Sequence, residues 1–174
     1  GKMGDTLWDK GDVEGSQEVL KRALKELGVR FGGTKFDAAM SIPKEILIQM
    51  LHVMLPWVFI RKKYDRNIRQ LTIAKLLIRL THVYYFVDIH ISFYAHLKSL
   101  NLLETIGPCA ELAYCYATSC PVFGGMWCFH RAYRDLSKSL KISQDLGNRI
   151  TEGIGYAYFG MADHYTNRLS EGIE

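Results

Sequence analysis

At 174 residues the chain is long enough for one ordinary domain or for several units of a helical solenoid. Hydrophobic residues make up 48% and charged residues 23%, which excludes intrinsic disorder, and only four prolines against long apolar stretches argue for helices over a many-stranded sandwich. A formal charge of +4 suits solubility and falls short of a nucleic-acid footprint.

The first predicted element lies in Trp8 to Gly28, WDKGDVEGSQEVLKRALKELG. Gly11-Asp12 is a turn signal, and Val13, Val19, Leu20, Ala23, Leu24 and Leu27 follow at helical spacing. Gly28 stops this helix, because glycine enters the left-handed cap conformation without a Cβ penalty. Val29 to Ser41 reads as a connector containing Gly32-Gly33. Ser41 is the expected N-cap of the next helix, with Pro43 in its first turn, where a missing N–H costs nothing.

Ile46 to Ile60, ILIQMLHVMLPWVFI, is the most hydrophobic run and is closed by Arg61-Lys62-Lys63. A membrane-spanning helix needs about 20 apolar residues, and this shorter run carries Gln49, His52 and Pro56. A membrane-surface helix needs a strongly polar face, which is thin here. The expectation is a buried solenoid helix, with a partner or membrane-surface contact as the alternative. Pro56 should kink or end it near Leu55, since proline removes an internal hydrogen bond.

Asp65 or Asn67 caps a long helix to about Val87, with Ile68, Leu71, Leu76, Leu77, Leu80, Tyr84 and Val87 as its apolar face. Asp88 marks a turn, and the return helix runs from Ile89 to Ile106 with Gly107 as its stop. Pro108 opens a helix to about Val122, where Ala110, Ala113, Ala117 and Ser119 permit close approach. Phe123-Gly124-Gly125-Met126 is the next turn, Trp127 to Leu146 the return helix, and Gly147 its stop. Asn148 caps a last helix containing Gly153, Gly155 and Gly160, with a break expected near Ala162-Asp163-His164 and a stub to Glu174.

Two of these segments are related. FYAHLKSLNLLETIG at Phe93 to Gly107 returns 40 residues later as YRDLSKSLKISQDLG at Tyr133 to Gly147. Lys98, Ser99, Leu100 and Gly107 recur as Lys138, Ser139, Leu140 and Gly147, and Tyr116-Ala117 recurs as Tyr156-Ala157. Self-similarity at a fixed period of roughly 20–50 residues is the signature of stacked helical units. The expected fold is all-α, a right-handed superhelix of antiparallel helix pairs, with units near 5–28, 42–63, 66–107, 108–147 and 148–174 in a single domain. The chain is expected to begin and end inside a repeat, as a fragment of a longer protein.

The Gly11-Asp12 turn with its LKRALKELG ending, and the units closed by Gly107 and Gly147, resemble tetratricopeptide-like repeats, though the repeat is longer than the 34-residue form. The closer resemblance is to the helical C-terminal region of multidomain signalling ATPases, which join a nucleotide cyclase or protein kinase to an AAA-type ATPase, and to LuxR/MalT-type regulators. Gly11-Asp12, Leu20 to Gly28, Pro56 with Arg61-Lys62-Lys63, Tyr84-Tyr85-Phe86, Ala95, Leu100 to Pro108, Glu111-Leu112-Ala113, Tyr116-Ala117 and Leu146-Gly147-Asn148 carry it. The resemblance implies a scaffold or sensor appended to upstream catalytic domains. The chain itself has no phosphate-cradling G-x-x-x-x-G-K-[ST] loop and no kinase H-R-D or D-F-G set.

No catalytic, cofactor or metal site is expected. Cys109, Cys115, Cys120 and Cys128 lack the paired spacing of zinc sites and read as small buried residues of a cytoplasmic protein. His82, His90 and His96 near Asp88 lack the i, i+4 spacing of helical zinc ligands. Gly153-x-Gly155-x4-Gly160 has the wrong spacing for a nucleotide loop and reads as close helix packing. Tyr85, Tyr116 and Tyr156 are the candidate partner-binding face, since aromatics bury much area with few rotatable bonds; packing between layers is the plainer role. Arg61, Lys62 and Lys63 are a candidate anion or partner surface, more simply a solvated helix junction. The expected function is protein-interaction or regulatory scaffolding. The partner would be a protein, a peptide or the upstream domains of the same chain, with a structural spacer or homodimerisation element as the alternative.

Overall fold

The computed structural model describes residues 11–124 and 127–166. The expectations at Trp8, at Gly125-Met126 and for the stub to Glu174 lie outside the described residues. Among those described the chain is all-α, with eight helices and no strand. Residue contacts divide it into two compact units. One, within Gly1–Arg61 and Asp65–Ile106, holds α1 (Val13–Glu26), α2 (Lys35–Met54), α3 (Pro56–Phe59), α4 (Ile68–Tyr85) and α5 (Ile89–Ile106). The other, within Lys62–Tyr64 and Gly107–Glu174, holds α6 (Ala110–Gly124), α7 (Phe129–Asp145) and α8 (Arg149–Tyr165).

In the first unit α1 packs on α4, α4 on α5, and α5 on α2. Asp12 caps α1 by accepting from the Gly15 amide at 2.8 Å. Leu20 and Leu24 then enter a core with Ile73, Leu76, Leu77, Leu80 and Tyr84 of α4 and Ile91, Tyr94 and Ala95 of α5. Phe31, in the connector, stacks on Tyr94 at 5.1 Å between ring centres. Three members of the apolar face expected for α4 lie outside this core: Leu71 is half-buried, and Ile68 is 74% and Val87 55% exposed, at or beyond the helix ends. Asn67, rather than Asp65, caps α4 by accepting from the Gln70 amide.

Helix α2 starts six residues before the expected Ser41 cap, at Lys35. Thr34 Oγ1 accepts from the Asp37 amide at 3.1 Å and donates to the Asp37 carboxylate at 2.6 Å, so this pair closes the helix end first. Pro43 consequently sits inside the helix. The break at Pro56 is where the sequence places it: α2 stops at Met54, Leu55 leaves helical geometry, and α3 begins with the proline at its first position.

In the second unit α6, α7 and α8 all pack on one another. Ala117, Cys120, Leu136 and Ala162 form its centre, flanked by Tyr133, Ile154, Tyr158, Phe159 and Met161. Ser139, from the repeated segment, is fully buried and donates to the Ala113 carbonyl at 2.7 Å, drawing α7 onto the small-residue face of α6. Of the glycines read as packing positions in α8, one fits: a Cβ on Gly155 would meet Leu140 Cδ2 at 2.6 Å. Gly153 and Gly160 face open space, so close packing does not explain them. Asn148 caps α8 as expected, and α8 runs unbroken through Ala162-Asp163-His164 to Tyr165.

Both copies of the repeat end as their glycines predict. Gly107 has φ 96° and Gly147 φ 63°, matching Gly28 at φ 75°. After Gly28 and Gly147 the next amide turns back onto the helix: Val29 N–H reaches the Leu24 carbonyl and Asn148 N–H the Ser143 carbonyl, both at 2.9 Å.

Candidate functional site

Helix α2 is turned inside out. Its buried residues are Ala38, Glu45, Gln49 and His52, whereas the leucines, methionines and aromatics around them face solvent. The spacing 45, 49, 52 is i, i+4, i+7, one stripe of a helix. It meets Asn101 and Glu104 of α5, an i, i+3 pair that is also buried.

These five side chains form one continuous chain of contacts. The Gln49 amide donates one hydrogen to Asn101 Oδ1 at 2.6 Å and the other to Glu104 Oε2 at 2.7 Å. Asn101 Nδ2 donates to the Glu45 backbone carbonyl at 3.0 Å and to the Glu45 carboxylate at 2.7 Å. His52 Nδ1 and Glu104 Oε2 are hydrogen-bonded at 2.6 Å, and the His52 ring stacks on Phe59 of α3. The chain leaving α3 is pinned to the end of α5, with the Arg61 amide on the Glu104 carbonyl and the Asp65 amide on the Ile106 carbonyl.

Chemically, His52 and Glu104 are an imidazole held by a carboxylate, the pairing that orients a general base. A base must reach a substrate atom, and His52 is only 2% exposed and Glu104 1%. Sealed this way, the pair acts as a clamp. Each internal hydrogen bond adds about 0.5–1.5 kcal/mol net, more where an ionised group takes part, and removal of one partner leaves the others buried and unsatisfied. The clamp thereby fixes which face of α2 looks outward.

That outward face carries Phe36, Met40, Pro43, Leu47, Met50 and Met54, with Trp57 following in α3, all exposed. Phe36, Trp57 and Met40 are the most open, at 74%, 70% and 68%. Leu51 and Val58 widen the stripe. The burial expected for the 46–60 run is corrected here: the apolar residues are outside because the buried Asn101 and Glu104 of α5 take Glu45, Gln49 and His52 as their partners. Among the described residues no helix is long and apolar enough to cross a membrane.

The tyrosines singled out from the sequence have different fates. Tyr85 is exposed at the end of α4, edge-on to Phe86. In the second unit Tyr156 is exposed, its hydroxyl 3.5 Å from Gln144 Nε2, whereas Tyr116 is buried with Lys138 Nζ 4.8 Å from its ring centre. Burial also pushes the Tyr114 hydroxyl up to about 12. Arg61 is paired with Asp65, and Lys62 and Lys63 lie exposed beside it in sequence.

None of the four cysteines is in a disulfide. Cys109, Cys115 and Cys120 are buried as expected, and burial raises the thiols of Cys109 and Cys120 to about 11. Cys128 departs from that expectation and is exposed, because it sits just before α7. Among the described residues no group of three or more histidines, cysteines, aspartates or glutamates is arranged to hold a metal ion.

A second buried carboxylate lies in α7. Asp135 has no solvent exposure; Arg131 Nε donates to its Oδ2 at 2.6 Å, while Lys138 and Arg134 stand 3.7 and 3.9 Å from Oδ1, which accepts no hydrogen bond. Burial raises its pKa, with the three cations acting against that rise.

Sequence reasoning uses Gln49 and His52 only as marks against a membrane span. The signal for more is there: three polar residues at i, i+4, i+7 within the most apolar run, and an Asn-x-x-Glu pair in another helix. Compared with protein-family models, with curated proteins and with solved structures, the chain matches none.

Proposed function

We propose that this chain is a non-catalytic protein-interaction module, and that α2 presents its docking surface. The observation that carries this is the inverted helix, whose internal clamp holds a continuous apolar stripe in water. A stripe of this size costs solubility and is kept where something covers it. Recognition would work by surface complementarity, with methionines adapting their shape and Trp57 and Phe36 as anchors.

In this reading the helix pairs and the 40-residue repeat belong to a tetratricopeptide-like superhelix, a regulatory part of a larger signalling protein whose catalysis lies in other domains. The partner is a protein or peptide, the parent's own upstream domains included, and buried thiols outside any disulfide suit the cytoplasm. Tyr85, Tyr156 and the Arg61-Lys62-Lys63 segment are exposed and can add polar or aromatic contacts.

Photo-crosslinking tests this. A benzophenone amino acid placed at Phe36 or Trp57 in the full-length protein should give discrete protein adducts in cells, whereas the same probe at exposed Glu26 should not. Equal labelling at all three positions, or adducts with lipid alone, overturns the proposal.

A further inference from the structure

Resting on that reading, we infer that the occupant of the α2 face is a second copy of this chain, bound antiparallel about a two-fold axis through Leu47. Along α2 the exposed seam Phe36, Met40, Pro43, Leu47, Met50, Met54 advances by alternating steps of four and three residues, the repeat with which two helices pack along a shared line, and Trp57 follows in α3. With Leu51 and Val58 in place of Met50 and Trp57, the stripe is also symmetric about Leu47. Seven residues before Leu47 is Met40 and seven after is Met54; four before is Pro43 and four after is Leu51; eleven before is Phe36 and eleven after is Val58. All are exposed, and all are apolar. A two-fold interface must be self-complementary, with residue i meeting j and j meeting i. This stripe satisfies that requirement when the helices run in opposite directions.

Charge selects the direction. Lys44 is the ionised side chain bordering the middle of the stripe, exposed between Met40 and Leu47. Antiparallel pairing sets it beside Met50 of the other copy, where its stem lies along an apolar neighbour and its ammonium reaches water. Parallel pairing would set Lys44 against Lys44, an uncompensated repulsion. Antiparallel helices also align their dipoles favourably.

The area is sufficient. The exposed surface of the stripe is on the order of 1,000 Å², above the roughly 300–600 Å² of the largest patch on a typical monomer and comparable to the roughly 800 Å² per partner of a standard interface. Past the break at Leu55, Trp57 and Val58 of α3 are exposed at the end of the stripe, which antiparallel pairing sets against the start of the other helix, where Phe36 lies. The clamp of Glu45, Gln49, His52, Asn101 and Glu104 lies on the opposite face and holds the seam in register.

The test is disulfide trapping combined with sedimentation, on the intact chain with Cys128→Ser to remove the exposed thiol. The parent should sediment as a dimer at about micromolar concentration. Leu47→Cys lies on the axis and should give a covalent dimer under mild oxidation. Phe36→Cys alone should not, and Phe36→Cys with Val58→Cys should. Leu47→Arg opposes two like charges on the axis and should weaken dimerisation by about 100-fold or more, with unchanged helical circular dichroism. Met50→Glu, facing Lys44 of the other copy, should bind about tenfold more tightly than Met50→Lys.

A chain monomeric at tenfold higher concentration, a dimer indifferent to Leu47→Arg, or trapping of Phe36→Cys as readily as Leu47→Cys would each overturn the second copy. Monomers that give benzophenone adducts with a different protein would overturn it while leaving the interaction reading intact. Monomers that co-sediment with neutral phosphatidylcholine vesicles and give no protein adduct would overturn both.

Discussion

Helices α2 and α4 both pack in the first unit, and both are rich in leucine, isoleucine and valine or methionine. They solve opposite problems. Helix α4 buries Ile73, Leu76, Leu77 and Leu80 and leaves Arg69, Thr72 and Lys75 toward water, so its orientation follows from the hydrophobic effect alone. Helix α2 buries Glu45, Gln49 and His52 and leaves Leu47, Met50 and Met54 outside. What differs is the face α5 offers each. Toward α4 it offers Ile91, Tyr94 and Ala95; toward α2 it offers Asn101 and Glu104, which need partners of their own. A buried carboxylate without partners costs more than an exposed leucine gains by burial, so the polar contacts decide the rotation of the helix.

The comparison breaks most visibly at Glu104. Glu104→Ala removes the acceptor shared by Gln49 and His52 and should destabilise the first unit by about 3–5 kcal/mol in chemical denaturation. Leu77→Ala, at the centre of the α4 contact, should cost about 2–5 kcal/mol through lost transfer and a cavity. Two helices anchored by opposite chemistry would then prove comparably anchored. If Glu104→Ala costs under about 1 kcal/mol, the clamp does not set the orientation of α2, and the contrast with α4 fails.

The legible part of the fold is what local chemistry determines. Gly28, Gly107 and Gly147 stop helices because their backbones take positive φ, and Asp12, Asn67 and Asn148 cap them with short side chains. Pro56 ends α2 where its missing N–H requires. The start of α2 was not legible in the same way, because Thr34 and Asp37 cap as well as Ser41 and come first. The candidate site was half legible. Gln49 and His52 stand out in an apolar run, but their partners Asn101 and Glu104 lie more than 50 residues away, and periodicity reports nothing about such pairings. Tyr116 shows the same limit: its recurrence at Tyr156 is real, yet one ring is buried under Lys138 and the other exposed.

Asp135 extends the comparison to a second buried carboxylate, held less completely than Glu104 because Oδ1 accepts no hydrogen bond. Burial raises its folded pKa, so the native state keeps a proton that the unfolded chain has released. Its contribution to stability is therefore greatest below the ordinary carboxylate value, falls as pH rises through the folded value, and is level above that. Asp135→Asn keeps an acceptor for Arg131 and should remove this slope. A midpoint of unfolding followed from acid to neutral pH should fall less steeply for the variant than for the parent. Parallel profiles would mean that Arg131, Arg134 and Lys138 fully compensate the burial.

The smallest expected effect lies on the outside of α2. Leu47→Ser and Met54→Ser change side chains that touch little within their own chain, so thermal unfolding of the dilute protein should move by no more than about 0.5 kcal/mol. Comparable substitutions on the inward face of α4 should cost several times more. The dependence on concentration carries the information. A stripe that a partner covers stabilises the folded chain by mass action, so the parent's melting temperature should rise with protein concentration and that of Leu47→Ser should not. If both variants unfold the dilute chain, the apolar stripe is part of the internal packing after all, and α2 is an ordinary helix like α4.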